Sequence, residues 1–175
     1  MKTFILTLLA AAGLSVSAAA QDRITDTTPA GEAKIISYNI RLGVADDGAN
    51  SWEKRREATL RMLEREAPTV FGIQEGIIFQ VNYIEQNLPQ YARVGVGRDD
   101  GKEKGEIMAV FYLRDRYDLL DHGDLWLSET PDRVSRGWDG ACNRTMTWVH
   151  LREKATGKEF YYFNTHLDHK GEVAR

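Results

Sequence analysis

Thr69-Val70-Phe71-Gly72-Ile73-Gln74-Glu75 is the stretch on which the fold of this chain turns. It is apolar without alternation until its last two residues, the pattern of a strand buried on both faces. A carboxylate closing such a run is costly unless a metal or a partner meets it. Two further segments have the same form. Ile35-Ile36-Ser37-Tyr38 runs into Asn39, and a strand-like run ends in Phe163-Asn164-Thr165-His166-Leu167-Asp168. Each places a metal-ligand or proton-transfer side chain at the C-terminal end of a strand, where sheet enzymes assemble their sites. Asn and Glu offer hard oxygen ligands suited to Mg²⁺. His166 offers a group that titrates near neutral pH.

Working outward, the sequence predicts a strand over 34–38 and a loop over 41–51 that contains Gly43 and Gly48. A helix follows over 52–67. Trp52, Leu60, Leu63 and Ala67 line one side, Ser51 is positioned as N-cap, and Pro68 stops the helix. Strand 69–74 comes next, then a second helix over 79–88. Strands are expected over 91–96 and 107–113, separated by a charged, glycine-rich loop over 97–105. Residues 117–126 read as another strand pair, and 127–142 as a long irregular loop. Segments 145–151 and 159–164 read as a hairpin turning at Ala155-Thr156-Gly157-Lys158. Helices early and strands late, without strict alternation, favour an α+β sheet over a doubly wound parallel one.

The N-terminus has the form of a secretory signal peptide over 1–20. Lys2 precedes an apolar run from Phe4 to Val16, and Ala18-Ala19-Ala20 resembles a cleavage site. The run is too short for a comfortable membrane span, so a stable anchor is not expected. Export to the periplasm or beyond is the expectation, with a flexible polar leader over 21–33. Cys142 is the single cysteine and cannot form an internal disulfide. After signal removal about 155 residues remain, one ordinary domain. The net charge of −3 provides no global positive field for polyanions.

The three segments, in this order and at this spacing, resemble the endonuclease/exonuclease/phosphatase superfamily from about Lys34 to Arg175. The resemblance implies a four-layer α/β/β/α sandwich, of which this chain would hold the N-terminal part: most of the first sheet and the beginning of the second. It implies Glu75 as the principal metal ligand with Asn39 beside it, for Mg²⁺, or Mn²⁺ in its place. It implies Glu106 as neighbour to a catalytic His166, where a carboxylate would set the tautomer and favour an acid role. Arg144 and Asn164 are assigned to phosphate binding, Arg144 because a guanidinium matches phosphate bidentately, and Asn164 reads equally as a local hydrogen-bonder to backbone. Asp168 and His169 would rim the cleft, and the loop between Trp126 and Trp138 would overhang it. Arg41 stands where relatives carry a carboxylate, which leaves a second metal position open.

The expected activity is metal-assisted hydrolysis of a phosphate ester. Nucleic acid, phospholipid headgroup, sugar phosphate and nucleotide remain open as substrates. Two later motifs of the family, Gly-Asp-Phe-Asn-like and Ser-Asp-His-like, have no counterpart here. A noncatalytic truncated remnant is therefore one alternative. The other is a carbohydrate-acting hydrolase with Glu75 and Glu106 as paired carboxylates.

Overall fold

A computed structural model describes residues 24–175; the signal-peptide segment and the first leader residues lie outside the described residues. Strand β1 (Ile35–Asn39) leads through a loop to helix α1 (Trp52–Glu66), strand β2 (Val70–Gln74) and helix α2 (Ile78–Asn87). Strands β3 (Tyr91–Val94), β4 (Val110–Leu113), β5 (Tyr117–Trp126), β6 (Thr145–Glu153) and β7 (Glu159–Thr165) follow. They form two sheets, ordered β1-β2-β4-β3 and β5-β6-β7. Among the described residues only β1 and β2 pair in parallel.

β2 is the hub. Phe71 and Ile73 face the helices, packing with Leu60 and Leu63 of α1 and Val81 and Ile84 of α2. Val70 faces the other way, with Val110 and Tyr112 of β4 against Val149 and Leu151 of β6. The uninterrupted apolar run is the result of burial on both faces, and all five β2 residues are buried. Phe71 stacks on Phe111 at 4.7 Å and meets Tyr91 edge-on at 5.0 Å. Burying one such ring contributes about 2–3 kcal/mol. The layers are therefore helix, sheet and sheet, an α+β arrangement.

Several expectations are corrected. Residues 117–126 form one ten-residue strand with a bulge between Leu119 and Asp121, not a strand pair. The bulge lets a long strand bend without a turn. The strand expected over 107–113 begins regular pairing only at Val110, because Ile107 bridges singly to both Gly76 and Gly97. Within the described residues the leader is not free. Ile24 is buried in the helix-side core. Arg116 donates to the carbonyls of Thr28, Pro29 and Glu32 and to the carboxylates of Asp26 and Glu153. A polar composition reads as flexible only until a partly buried guanidinium collects its carbonyls. Among the described residues no helix is long and apolar enough to cross a membrane.

Candidate active site

Parallel pairing places the ends of β1 and β2 side by side, with Asn39 opposite Gln74. Glu75 follows directly. β4 runs antiparallel to β2, so the segment before it returns to the same end, and Gly76 bridges to Ile107 beside Glu106. In the second sheet, β6 begins and β7 finishes at one end, Met146 opposite Thr165. The sheets are tied there by Asn164, which accepts from Gln74 Nε2 at 2.6 Å. Glu75, Glu106, Arg144 and His166 thus line one cleft of about 330 Å³, together with Arg98 and His169.

The Glu75 carboxylate is held from two sides. Asn39 Nδ2 donates to Oε1 at 2.8 Å and the Leu42 backbone N–H to Oε2 at 2.9 Å. Partial burial pushes this carboxyl up, but those two bonds, with the charges of His166 and Arg41, hold it below the ordinary glutamate value. Glu75 has φ 61° and Arg41 φ 60°. Both lie in the left-handed region, which costs non-glycine residues about 1–3 kcal/mol and persists only where the surroundings enforce it. At Arg41 the enforcing groups are Arg55 and Gln80. Arg55 reaches back from α1 to the carbonyls of Ile40 and Arg41. Gln80, fully buried on α2, donates to the Arg41 carbonyl at 3.0 Å and accepts from Gly43 N–H at 2.8 Å. A Cβ on Gly43 would lie 2.6 Å from the Gln80 amide carbon. The sequence offered no sign of either residue's role, since both acceptors are loop carbonyls supplied by the fold.

Across the cleft, Glu106 lies 2.7 Å from Arg98 Nη1, 4.0 Å from Arg144 Nη1 and 3.6 Å from His166 Nδ1. It faces cations rather than Glu75. His166 Nδ1 lies 3.3 Å from Arg144 Nη1. This ring can accept from the guanidinium when neutral, or give Nδ1–H toward Glu106 when protonated. Arg144 is buried, with Nε 3.4 Å from Asp168 and Nη2 3.1 Å from His169 Nδ1. Asp168 is buried as well. Its carboxylate accepts the backbone N–H groups of Gly171, Lys170 and Ala141, and these bonds in that order, with Arg144, hold it well below the usual aspartate range against the opposing effect of burial.

Asn164 departs from its assignment. It is 3% exposed, and its amide donates to the carbonyls of Ile73 and Ala109 while its oxygen accepts from Gln74. Every group of the amide is engaged between the sheets, so it joins the layers and does not bind phosphate. The loop before Arg144 is anchored from its far side: Asp139 accepts N–H bonds from Glu172, Val173 and Ala174. Trp138 in that loop is half exposed, with φ 47°. Cys142 lines the cleft with its thiol 3.9 Å from Asp168.

Among the described residues no three or more His, Cys, Asp or Glu side chains gather as a metal cage. The donors at Glu75 still suit Mg²⁺, which is commonly held by one or two carboxylates with water and substrate phosphate. A larger cavity of about 600 Å³ lies around Arg116 and Gln90. It sits at the opposite end of the first sheet, near Leu113, away from every group above.

No family model matches the chain. Solved structures do. An endonuclease/exonuclease/phosphatase from Bacteroides vulgatus is 40% identical with a TM-score of 0.79, over 81% of this chain and 55% of that one. The chain belongs to the endonuclease/exonuclease/phosphatase superfamily. A mannosyl-6-phosphatase of Bacteroides thetaiotaomicron is 42% identical with a TM-score of 0.79, over 82% of this chain and 54% of that one. An uncharacterized protein of Acanthamoeba polyphaga mimivirus is 26% identical over 146 residues, 77% of this chain and 54% of that protein. The chain thus spans a little over half the length of each of these proteins, and its fold matches the two solved structures over that span.

Proposed function

We propose that this protein hydrolyses phosphate esters with the help of a divalent cation, Mg²⁺ or Mn²⁺, held by Glu75 with Asn39. The observation that carries the reading is the convergence of one oriented carboxylate, Glu75, and one buried guanidinium, Arg144, on a single cleft with His166. Glu75 and Asn39 would hold that cation, which when bound would supply neutralisation of phosphate charge and activation of water. Asn39 and the Leu42 N–H aim the carboxylate and keep it ionised. Arg144 neutralises the non-bridging oxygens and resists displacement because Asp168 anchors its Nε. As water oxygen bonds to phosphorus and the ester P–O bond breaks, protonated His166 delivers its proton to the departing oxygen, and the attacking water's proton leaves on the phosphate product. Glu106 supports the charged ring.

The substrate class follows from size, charge and kinship. The cleft is small, and the net charge of −3 favours small phosphorylated molecules over long polyanions. A relative 42% identical is a mannosyl-6-phosphatase. A sugar phosphate is the reading these support. The N-terminal pattern supports an exported enzyme whose first residue after cleavage is Gln21, checkable by N-terminal sequencing of exported material.

The test is phosphate release from mannose 6-phosphate, with a phosphodiester for comparison. Release should need added Mg²⁺ and vanish in Glu75→Ala. Turnover that survives chelation, or survives that substitution, contradicts the proposal.

A further inference from the structure

The mechanism above leaves His169 without a role, although it lines the same cleft. Its Nδ1 lies 3.1 Å from Arg144 Nη2. A guanidinium has only N–H groups to offer, so Nδ1 is the acceptor in that bond. A neutral imidazole that accepts at Nδ1 carries its proton on Nε2.

His166 and His169 differ on this point. Nδ1 of His166 stands between Arg144 and the Glu106 carboxylate, so that ring has a partner in either protonation state. Among the described residues no carboxylate comes within ion-pair distance of His169. One guanidinium therefore engages two imidazoles in unequal surroundings: His166 also faces a carboxylate, and His169 does not.

Asp168 builds this arrangement. Its buried carboxylate takes the Lys170 and Gly171 N–H groups at 2.8 Å each, folding the turn that carries His169. It also takes Ala141 N–H at 3.0 Å and Arg144 Nε at 3.4 Å. Both halves of the Arg144–His169 contact hang from the same carboxylate.

We propose that His169 is a substrate-contacting residue, a neutral imidazole held by Arg144 as its Nε2–H tautomer and donating to a non-bridging oxygen of the bound phosphoryl group. Asp168 is the residue that positions the pair. The inference rests on reading the cleft as a phosphoester site, and it adds a second imidazole donor to that site.

Two measurements on the full chain test it. In ¹⁵N-histidine-labelled protein at neutral pH, His169 should show a protonated Nε2 and a bare Nδ1, and inorganic phosphate should shift the Nε2 signal. A protonated Nδ1, or no response to phosphate, overturns the proposal. The second is a pair of conservative variants. A glutamine amide reaches the Nε2 position, whereas an asparagine oxygen reaches the Nδ1 position and keeps only the Arg144 contact. His169→Gln should retain inorganic phosphate affinity, and His169→Asn should lose about tenfold, as expected for one hydrogen bond to a charged group. The reverse order would mean that His169 merely supports Arg144, and would overturn the proposal. Failure of metal-dependent turnover with the phosphate response intact would instead overturn the reading of the reaction.

Discussion

Asn164 of β7 accepts a hydrogen bond from Gln74 of β2 at 2.6 Å, across the space between the two sheets. The same amide donates to the Ile73 and Ala109 carbonyls, so one side chain closes the seam directly behind the cleft. Gly72 makes room for it: a Cβ there would lie 2.6 Å from the Asn164 amide carbon.

Asn164→Ala should remove one bond each from the Ile73 and Ala109 carbonyls and from the Gln74 amide, which keeps Ser37 as the Ala109 carbonyl keeps the Ile73 N–H, at about 0.5–1.5 kcal/mol for each bond lost. Gly72→Ala should cost about 1–3 kcal/mol by overpacking the same seam. Urea unfolding reads both. Wild-type midpoints in either variant would show that the sheets are not joined in this way.

Arg116 anchors residues 26–32 through the Thr28, Pro29 and Glu32 carbonyls. Arg116→Ala leaves the Glu153 carboxylate without its ion-pair partner, a kind of loss that costs about 3–5 kcal/mol when the pair is buried. Hydrogen exchange should speed up first in 26–32 and only later in β6. Uniform acceleration over the whole chain would contradict a local anchor.

Acid should weaken the fold, with Asp168 contributing. Its folded-state pKa is depressed, so its contribution is present above the ordinary aspartate pKa of about 3.9 and is lost as pH falls below it. Asp168→Asn cannot accept Arg144 Nε and Ala141 N–H through the same atom as before. It should be less stable at pH 7 and show a flatter fall in stability between pH 5 and pH 3 than the wild type, by urea unfolding. Parallel curves would show that Asp168 does not carry this dependence.

The long apolar strand, both helices and the 145–165 hairpin were legible in the sequence because each rests on periodicity or turn chemistry within a short window. Glu75, Asn39 and His166 were legible as site candidates because each closes a strand-like run, whereas Glu106 and Arg144 stood out only through the family resemblance. Arg55, Gln80 and Arg116 were not. Each bonds backbone carbonyls of a loop distant in sequence, and a carbonyl leaves no trace in residue identity. Asn164 left two readings open for a related reason. A polar residue at a strand end looks like a ligand until the opposing sheet shows that its amide is enclosed.

Gln80 tests how far the site depends on its support. Gln80→Leu keeps the volume but removes the bonds to Arg41 and Gly43, releasing the turn whose Leu42 N–H orients Glu75. Divalent affinity should fall about tenfold or more, as for other residues that orient a metal ligand. Unchanged affinity would mean that the turn holds itself.

The most direct measurement is Mn²⁺ or Mg²⁺ titration by calorimetry of the wild type against Glu75→Gln, a change that preserves shape and removes the charge. The wild type should bind one ion in the cleft, and the variant should lose that binding while unfolding at the same urea concentration. Equal binding by both proteins would place the metal elsewhere and contradict the assignment of Glu75.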